Sequence, residues 1–447
     1  MENNKEFLDM LCNCVPHRRQ VEWQNMEYYN FVHFGLNTFS GKEWGSGKES
    51  PKIFNPSNLD TDKWVQIFKE SGSKGVILTA KHHDGFCLFP SKFTDYSIKN
   101  SPYKNGKGDI VKELSDSCRK YGLKFGVYLS PWDRHEATYG TDEYNDFYCN
   151  QLEELCTNYG ELFCLWFDGA CGEGKNGKKQ EYDFNRYYDL IRKLQPNAVI
   201  NIAGPDVRWI GNEGGICRPN EWSVVDRKMS DYNYTKDNFQ QADDKNFASQ
   251  KPSECDRDLG SRKALKDSDG VIWYPAEMDV PITKKCWFYN RFAELFLTRK
   301  VSDLLHLYET SVGSNATLLL NVPPNKKGEI PKKYQKVLKN FGMELNRRYG
   351  NGQIASIEQR TNEAPYIYDL SFKKTKVSAI SIAEDINFSQ RIEKFEIYNG
   401  DDLIYSGEVV GFKKICKIDN VLTDKLTLKI IECRREPHLH KVKVFSY

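Results

Sequence analysis

Two acidic residues beside aromatic side chains are the clearest candidates for chemistry in this sequence. Asp168 follows the apolar run Phe-Cys-Leu-Trp-Phe and has Trp166 two positions before it. Glu213 lies in a glycine-rich run close to Trp209. Cleavage of a glycosidic bond requires such a pair, because one carboxylate attacks the sugar or activates water while the other protonates the leaving oxygen. Asp168 is therefore the candidate nucleophile and Glu213 the leading candidate for the acid.

Both carboxylates also have plainer interpretations. An Asp at the end of a strand is often a helix N-cap or a turn residue, and a Glu in a glycine-rich run can be an ordinary surface residue. Glu43, Glu221 and Glu277 also lie in aromatic-rich loops of the sequence, so they compete for the role of the acid. Trp166 favours the catalytic interpretation of Asp168, because alternate residues of a strand point to the same face.

Three of the eight histidines fall at the ends of predicted strands, at His33, His82 and His83. Structural histidines have no reason to collect at such positions, so we interpret the cluster as functional. A metal site is the alternative for the His-His-Asp run at 82–84. It is less favoured, because adjacent strand residues point to opposite faces and no further ligands occur at the helical spacing of an HExxH motif.

Alternating strands and helices are predicted to position these residues. Short apolar runs predict strands at 29–33, 75–80, 125–129, 163–167, 198–202 and 318–322. Amphipathic stretches predict helices at 62–68, 109–121, 187–194 and 334–345, with a further long helix ending near Tyr159. Repeated strand–helix units indicate an α/β fold with a parallel sheet. Their number favours a closed (β/α)8-type barrel over an open sheet, which would normally have a glycine-rich phosphate loop after its first strand.

The pattern changes beyond residue 350 to alternation with a period of two. The runs 394–398, 403–405, 426–430 and 441–445 predict antiparallel strands separated by turns. This part is predicted to form a small β-sandwich without catalytic residues of its own. We therefore predict a catalytic barrel at 1–350 and a C-terminal antiparallel β-sandwich at 351–447.

The composition excludes several other functions. With 447 residues and a net charge of +2, the chain has no strong field to recruit nucleic acid or an anionic membrane. No run approaches the roughly 20 apolar residues of a membrane span. The thirteen cysteines form no paired CxxC framework, which is typical of reduced thiols. No signal peptide is visible, which favours an intracellular protein, although the mature form of a secreted protein would look the same.

Several longer runs resemble those of glycoside hydrolase family 29, the α-L-fucosidases. The matching runs are FVHFGLNTF (31–39), EWG (43–45), LTAKHHDGFCL (78–88), YLSPWDR (128–134), GPDVRWIGNE (204–213), SVGSN (311–315) and LNVPP (320–324). The likeness extends over nearly the whole chain and is closest to the α-1,3/1,4-fucosidase branch. The sequence departs from the family at 281–286, where a Ser-Ile-Arg-Pro-Gly type of run is expected.

The resemblance implies an exo-acting, retaining α-L-fucosidase that acts on fucosylated oligosaccharides or glycoconjugates without a metal or an organic cofactor. It also implies a barrel followed by a β-sandwich. The nucleophile falls on Asp168 and the acid/base on Glu213. The residues expected to bind the fucose are His33, Glu43, Trp44, His82, His83, Tyr128, Trp166 and Trp287. The alternatives are a fucose-binding protein that has lost catalysis and a metal-dependent barrel hydrolase.

Overall fold

A ring of parallel strands forms the first part of the chain. The computed structural model describes residues 5–234 and 258–447, and within them eight parallel strands are joined in the order β5-β4-β3-β2-β1-β8-β7-β6. The strands are β1 (Tyr28–Val32), β2 (Gly75–Lys81), β3 (Lys124–Leu129), β4 (Cys164–Phe167), β5 (Val199–Ile202), β6 (Arg208–Trp209), β7 (Ala276–Pro281) and β8 (Thr317–Asn321). A parallel bridge between Asn201 and Val207 brings β5 beside β6. The ring is therefore nearly closed, which confirms the predicted (β/α)8-type barrel.

Helices surround this barrel. In the described ranges they are α1 (Lys5–Cys12), α2 (Arg18–Gln24), α3 (Leu36–Ser40), α4 (Thr61–Glu70), α5 (Ile110–Tyr121), α6 (Glu143–Asn158), α7 (Phe184–Leu194), α8 (Arg262–Leu265), α9 (Val301–Ser311) and α10 (Lys332–Leu345). Two π-helical turns lie at Ala293–Leu297, before α9, and at Asn346–Gly350, after α10. Among these residues no helix combines the length and apolar character that crossing a membrane requires.

Aspartates mark where three of the barrel helices begin. The side chains of Asp60, Asp109 and Asp183 each accept a hydrogen bond from the backbone N–H three residues later, at the start of α4, α5 and α7. Such N-caps satisfy an N–H group that has no partner inside the helix. Helix α5 also ends at Gly122, whose φ of 74° is a left-handed conformation that glycine adopts without strain. The starts predicted for α4 and α5 are within one residue of the observed ones, whereas the start predicted for α7, at residue 187, is three residues late.

The six predicted barrel strands are confirmed to within one residue at each end, but two strands were missed. Strand β6 has only two residues, and β7 contains Glu277 and Asp279 among its buried residues. A short strand and a strand with two inward carboxylates do not produce an apolar run. Residues 203–207, all of which the structure describes, join β5 to β6 without a helix. The barrel therefore departs from strict strand–helix alternation at this point.

Two long, bent strands build the C-terminal β-sandwich. Its strands are β9 (Gln353–Ile354), β10 (Ser356–Gln359), β11 (Tyr366–Glu384), β12 (Ile392–Asn399), β13 (Asp402–Gly407), β14 (Lys414–Cys433) and β15 (Leu439–Phe445). The first part of β11 pairs with β10, its last part pairs with β15, and β14 runs beside both parts. Strands β11 and β14 therefore belong to both layers, and a separate apolar cluster lies between the layers. This confirms the predicted antiparallel sandwich.

The sandwich packs against the barrel through specific polar contacts. The Asn315 side chain accepts a hydrogen bond from the backbone N–H of Phe412 at 2.7 Å and donates to the Glu221 carbonyl at 2.8 Å. Lys413 pairs with Glu27, just before β1, at 2.8 Å. These contacts hold the sandwich on the barrel. The domain boundary at residue 350 stays a prediction; the first sandwich strand begins at Gln353.

Candidate active site

Four neighbouring strands bring the predicted site residues to one end of the barrel. His33 directly follows β1, His82 and His83 follow β2, Tyr128 is next to last in β3, and Asp168 directly follows β4. These strands are parallel neighbours, so their carboxyl ends lie side by side. In parallel barrels this is the end at which reacting groups are found.

Asp168 is an oriented carboxylate that remains open to solvent. Its Oδ2 accepts a hydrogen bond from the Tyr128 hydroxyl at 2.9 Å, and its Oδ1 accepts one from the backbone N–H of Ala170 at 2.8 Å. His83 Nε2 lies 3.6 Å from the same Oδ2 atom. About a quarter of the Asp168 side chain (27%) is exposed. The carboxylate is therefore fixed in direction and still accessible, as a nucleophile must be.

Glu213 is a carboxyl group that keeps its proton close to neutral pH. Burial raises its pKa to about 7, and the negative charges of Asp168 and Glu43 act in the same direction. The Trp287 indole N–H donates to the carboxylate and partly opposes this rise. A carboxyl with such a pKa can donate a proton at pH 7. The loop that holds Glu213 follows β6, a strand of only two residues that the sequence did not reveal.

Glu43 lies beside this pair on the same rim. Its Oε2 accepts hydrogen bonds from the backbone N–H groups of Trp287 at 2.9 Å and Phe288 at 3.3 Å. Burial nevertheless raises the pKa of Glu43 to about 7. Trp287 therefore contacts two carboxyl groups, Glu43 through its backbone and Glu213 through its indole.

Glu277 is not in a loop, as the sequence analysis expected, but on strand β7 inside the barrel. Its Oε1 accepts a hydrogen bond from the Trp166 indole at 2.6 Å, and its Oε2 accepts bonds from the Tyr29 hydroxyl and from Asn201 Nδ2. Burial raises its pKa to about 7. Because three side chains donate to it, Glu277 serves to fix the orientation of Trp166 and does not need to act as the acid.

Glu221 is also held by structural contacts. It is completely buried and forms ion pairs with Arg208 and, at 3.4 Å, with Arg218. Two guanidinium groups therefore hold this carboxylate in place. Of the competitors for the acid, only Glu43 shares the pocket with Glu213.

The three histidines reach the same pocket. The rings of His82 and His83 are 4.2 Å apart, and the His33 ring is 5.5 Å from that of His82. The expectation that His82 and His83 point to opposite faces is wrong, because β2 ends at Lys81 and both residues lie in the following loop. Burial lowers the pKa of His33 to about 3, although the hydrogen bond that His33 donates to Asn321 opposes this effect. Burial also lowers the pKa of His82 well below its usual value.

Tyr128 forms the centre of an aromatic stack. Its ring stacks on Trp166 with centroids 5.3 Å apart and on His82 with centroids 5.6 Å apart. Its hydroxyl meanwhile donates to Asp168. The stack therefore connects the nucleophile candidate with the predicted sugar-binding residues of β2 and β4.

Two tryptophans line the outer part of the pocket. Trp44 meets His83 edge to face at 6.0 Å and Trp132 at 5.7 Å, and it is more than one third exposed. The Trp287 ring lies 5.1 Å from that of His33. Together with the preceding contacts, this brings every residue that was predicted to bind the sugar into one pocket.

The loop that contains Glu43 is anchored by residues the sequence analysis did not single out. Asn37 Nδ2 donates to the Glu43 carbonyl at 3.1 Å, and Arg134 donates to the Gly45 carbonyl. Gly47 has a φ of 73°, and a Cβ atom there would lie 2.4 Å from the Arg134 carbonyl oxygen. Only glycine fits at this position, so the path of the loop depends on it.

Asp279 and Asn321 are further pocket residues that sequence reasoning missed. Asp279 accepts a hydrogen bond from the Trp209 indole at 2.5 Å, and burial raises its pKa well above the usual value, with a contribution from the charge of Glu213. Asn321 ends β8 and contacts His33. A signal existed for Asn321, which directly follows an apolar strand run, but Asp279 lies on a strand that was not recognised.

Metal binding has no obvious ligand set here. Within residues 5–234 and 258–447, no group of three or more His, Cys, Asp or Glu side chains is arranged to hold a metal ion. The pocket histidines instead use Nδ1 to contact Asn321, Asn37 and Ser130.

The chemistry available at this end of the barrel is that of a glycoside hydrolase: an oriented carboxylate lies near a second carboxyl that retains its proton at neutral pH. Comparison with known proteins agrees. The family pattern for alpha-L-fucosidase matches residues 11–350. The chain belongs to the α-L-fucosidase family, glycoside hydrolase family 29.

Relatives match over nearly the whole chain. Alpha-L-fucosidase 1 of Arabidopsis thaliana is 38% identical, over 95% of this chain and 86% of that protein. A crystal structure from Bacteroides ovatus, assigned to the α-L-fucosidases, superposes with a TM-score of 0.89 at 40% identity, over 100% of this chain and 76% of that one. A Ruminococcus gnavus family 29 fucosidase in complex with fucose has a TM-score of 0.81 at 29% identity, over 97% of this chain and 95% of that one.

Proposed function

We propose that this protein is an exo-acting, retaining α-L-fucosidase in which Asp168 is the nucleophile and Glu213 the acid/base. The observation that carries the proposal is the contrast between the two carboxyl groups. Asp168 is partly exposed and receives a hydrogen bond on each oxygen, whereas the pKa of Glu213 is raised to about 7 by burial. Two titratable groups in such different environments are suited to the two different roles.

In the first step, an Asp168 carboxylate oxygen attacks the anomeric carbon of fucose. The bond from that carbon to the glycosidic oxygen breaks, and Glu213 transfers its proton to the departing oxygen. The aglycone leaves as a neutral alcohol, and the fucose is bound to Asp168 as an ester. Tyr128 and the Ala170 N–H keep the attacking group in a fixed direction.

In the second step, Glu213 is ionised and takes a proton from water. The water oxygen attacks the anomeric carbon, and the bond to Asp168 breaks. Fucose is released with its original anomeric configuration, since each step inverts that carbon once. Retaining enzymes hold the two carboxyl groups about 5–5.5 Å apart, whereas inverting enzymes need room for water between them. The influence of the Asp168 charge on Glu213 supports a close pair.

The pocket is suited to a 6-deoxy sugar. Polar groups of Glu43 and the three histidines can bind hydroxyls, and the rings of Trp44, Tyr128, Trp166 and Trp287 offer apolar surface. The fucose methyl is proposed to lie against these rings, because burying it there is favourable and a hydroxyl in its place would lack a partner.

We further propose a preference for α-1,3- or α-1,4-linked fucose in Lewis-type glycans, based on the resemblance of the sequence runs to that branch. The test is to measure fucose release from Lewis-type trisaccharides, from 2′-fucosyl-lactose and from an aryl fucoside. Faster release from the trisaccharides than from 2′-fucosyl-lactose is expected, and the reverse order would refute the linkage assignment. The anomeric configuration of newly released fucose, observed by NMR before mutarotation, tests retention.

The same assay distinguishes the alternatives. Binding of fucose without release over time would identify a protein that has lost catalysis. Loss of activity in EDTA that added metal restores would identify a metal-dependent hydrolase, and full activity in EDTA is the expected result.

A further inference from the structure

The hydrogen bonds behind His33 determine which of its nitrogens carries the proton. Asn321 Oδ1 accepts the backbone N–H of His33 at 3.2 Å, and Asn321 Nδ2 donates to the Trp287 carbonyl at 2.7 Å. Both partners are backbone groups with fixed roles, so the amide orientation is set by its surroundings. His33 Nδ1 lies 2.9 Å from that same Oδ1 acceptor. Nδ1 must therefore be the N–H, and Nε2 of the neutral ring has a lone pair.

The opposite arrangement holds behind His82. Asn37 Nδ2 donates to the backbone carbonyl of Glu43 at 3.1 Å, which identifies this atom as the amide nitrogen. The same nitrogen lies 3.3 Å from His82 Nδ1. A donor at this position requires Nδ1 to be the acceptor. The proton of the neutral His82 ring is therefore on Nε2.

Both rings are neutral over the working pH range of most proteins. Burial lowers the pKa of His33 to about 3 and that of His82 well below 6.5. His83 and His33 are the titratable neighbours whose charges lower the His82 value further, and His83 does the same for His33. Each ring therefore has one N–H and one lone pair, and the two ring centroids are only 5.5 Å apart.

We propose that Asn321 and Asn37 are positioning residues that hold His33 and His82 in opposite tautomers, so that the pocket presents one acceptor nitrogen and one donor nitrogen to neighbouring hydroxyls of a bound sugar. The nature of the ligand rests on the function proposed above, whereas the tautomers follow from the protein alone. A hydroxyl facing His33 Nε2 has to donate, and a hydroxyl facing His82 Nε2 has to accept.

The opposite tautomers of His33 and His82 select a particular kind of ligand. Two adjacent hydroxyls can satisfy both rings, and the hydroxyl that accepts from His82 still has its own proton for another acceptor. A methylated or oxidised hydroxyl cannot donate to His33, which would leave its buried lone pair without a partner, and that costs binding free energy. The histidine pair therefore discriminates between a free diol and a modified one.

The proton on His83 Nδ1 is assigned in the same way as that on His33. Ser130 Oγ donates to the Trp132 carbonyl at 2.6 Å, so its only proton is already used. His83 Nδ1 lies 2.7 Å from this Oγ and must donate to it. Nε2, the other ring nitrogen of His83, lies 3.6 Å from Asp168 Oδ2.

Nitrogen-15 NMR of protein labelled in its histidine rings tests the tautomers directly, without any ligand. Long-range proton–nitrogen spectra distinguish N–H from lone-pair nitrogens, and the variants His33→Gln and His82→Gln assign the two resonance sets. We expect the Nδ1–H form for His33 and the Nε2–H form for His82. The same tautomer on both rings would overturn the proposal, as would two protons on either ring at pH 7.

A matched pair of variants tests whether Asn37 and Asn321 determine the two tautomers. In Asn37→Asp the donor beside His82 becomes an acceptor, and we expect the His82 proton to move from Nε2 to Nδ1. In Asn321→Asp the acceptor beside His33 is retained, and the His33 tautomer should not change although the bond to Trp287 is lost. An unchanged His82 spectrum in folded Asn37→Asp would refute the role of Asn37. The wild-type spectrum decides the tautomers even if a variant does not fold.

Sugar analogues test the consequence for binding. Inhibition constants are measured for fucose and for its deoxy and deoxyfluoro analogues at each ring position, because fluorine can accept weakly but cannot donate. At the position facing His82, fluorine should recover part of the roughly 3- to 10-fold loss that the deoxy analogue suffers. At the position facing His33, both analogues should lose equally. If the fluoro analogue bound better than the deoxy analogue at every position, the assignment of one acceptor and one donor nitrogen would be refuted. Failure of fucose itself to bind would refute the proposed function and would leave the NMR result intact.

Discussion

The Tyr128 hydroxyl donates a hydrogen bond to Asp168 Oδ2 over 2.9 Å. These residues lie on neighbouring strands, and Tyr128 is itself completely buried between His82 and Trp166. Burial and the negative charge of Asp168 raise the pKa of Tyr128 well above its usual value, so the phenol remains a donor throughout the neutral range. A rigid aromatic stack thus fixes the direction of the proposed nucleophile.

Replacing Asp168, the proposed nucleophile, should abolish turnover. We expect Asp168→Ala to show no release of fucose from oligosaccharides, because no other group can form the ester intermediate. Circular dichroism should show that the variant stays folded, since the side chain is partly exposed. With an activated aryl fucoside, azide should restore some activity by attacking the anomeric carbon from the vacated side, giving a fucosyl azide of inverted configuration. Near-normal activity without azide would exclude Asp168 as the nucleophile.

Removing Glu213, the proposed acid, should affect substrates according to their leaving groups. Glu213→Ala is expected to lose roughly 10²- to 10⁴-fold in kcat on oligosaccharides, which need a proton on the departing oxygen. The loss on an aryl fucoside with an acidic phenol should be much smaller. Equal losses on the two substrates would show that Glu213 is not the acid.

The pH profile should have an alkaline limb near neutrality. In the proposed mechanism Glu213 must be protonated for the first step, and its pKa is raised to about 7. Consequently kcat/KM should fall as the pH rises through about 7, because the free enzyme then loses the catalytic proton. The measurement is kcat/KM for an oligosaccharide between pH 4 and 9. A limb that starts only above about pH 9 would contradict the assignment.

Substitutions of two neighbours of Glu213 should shift the alkaline limb of the pH profile in opposite directions. Glu43→Gln removes a negative charge that raises the pKa of Glu213, so the limb should shift to lower pH. Trp287→Phe removes a hydrogen bond that stabilises the carboxylate, so the limb should shift to higher pH. The pH at half-maximal kcat/KM is the quantity to compare, because both substitutions will also weaken binding. Shifts of the same sign would refute this electrostatic description.

The buried ion pair between Lys81 and Asp133 should contribute strongly to stability. Both side chains are almost completely buried, 3.0 Å apart. Lys81→Met leaves a buried carboxylate without its partner, and we expect a loss of about 3–5 kcal/mol in the free energy of unfolding, measured with urea. The control is Lys112→Met, which removes an exposed pair with Asp116 and should change stability by less than about 0.5 kcal/mol. Similar effects of the two substitutions would contradict the role of burial.

The local sequence was sufficient to predict the strands and helices that are apolar or that begin at a capping residue. The six recognised barrel strands are runs such as 75–81 in which every residue is buried, and helices α4, α5 and α7 begin at aspartates that cap them. Strand β7 was missed because its alternate residues Glu277 and Asp279 point inward. Hydrophobicity does not reveal a strand with buried carboxylates. The free-energy cost of burying these groups is offset by hydrogen-bond partners that are distant in the sequence.

For the site, the sequence by itself determined which residues could react. The position of Asp168 after an apolar strand, the histidines at neighbouring strand ends and the family runs together predicted a sugar-cleaving pocket. What only the tertiary structure decided is the chemical state of these residues. Glu277 and Glu213 both have a pKa raised to about 7, yet three donors from distant strands fix Glu277 in place, while Glu213 faces Asp168 and Trp287. Protonation and tautomers depend on burial and on partners from other strands, and neither is encoded in a local run of residues.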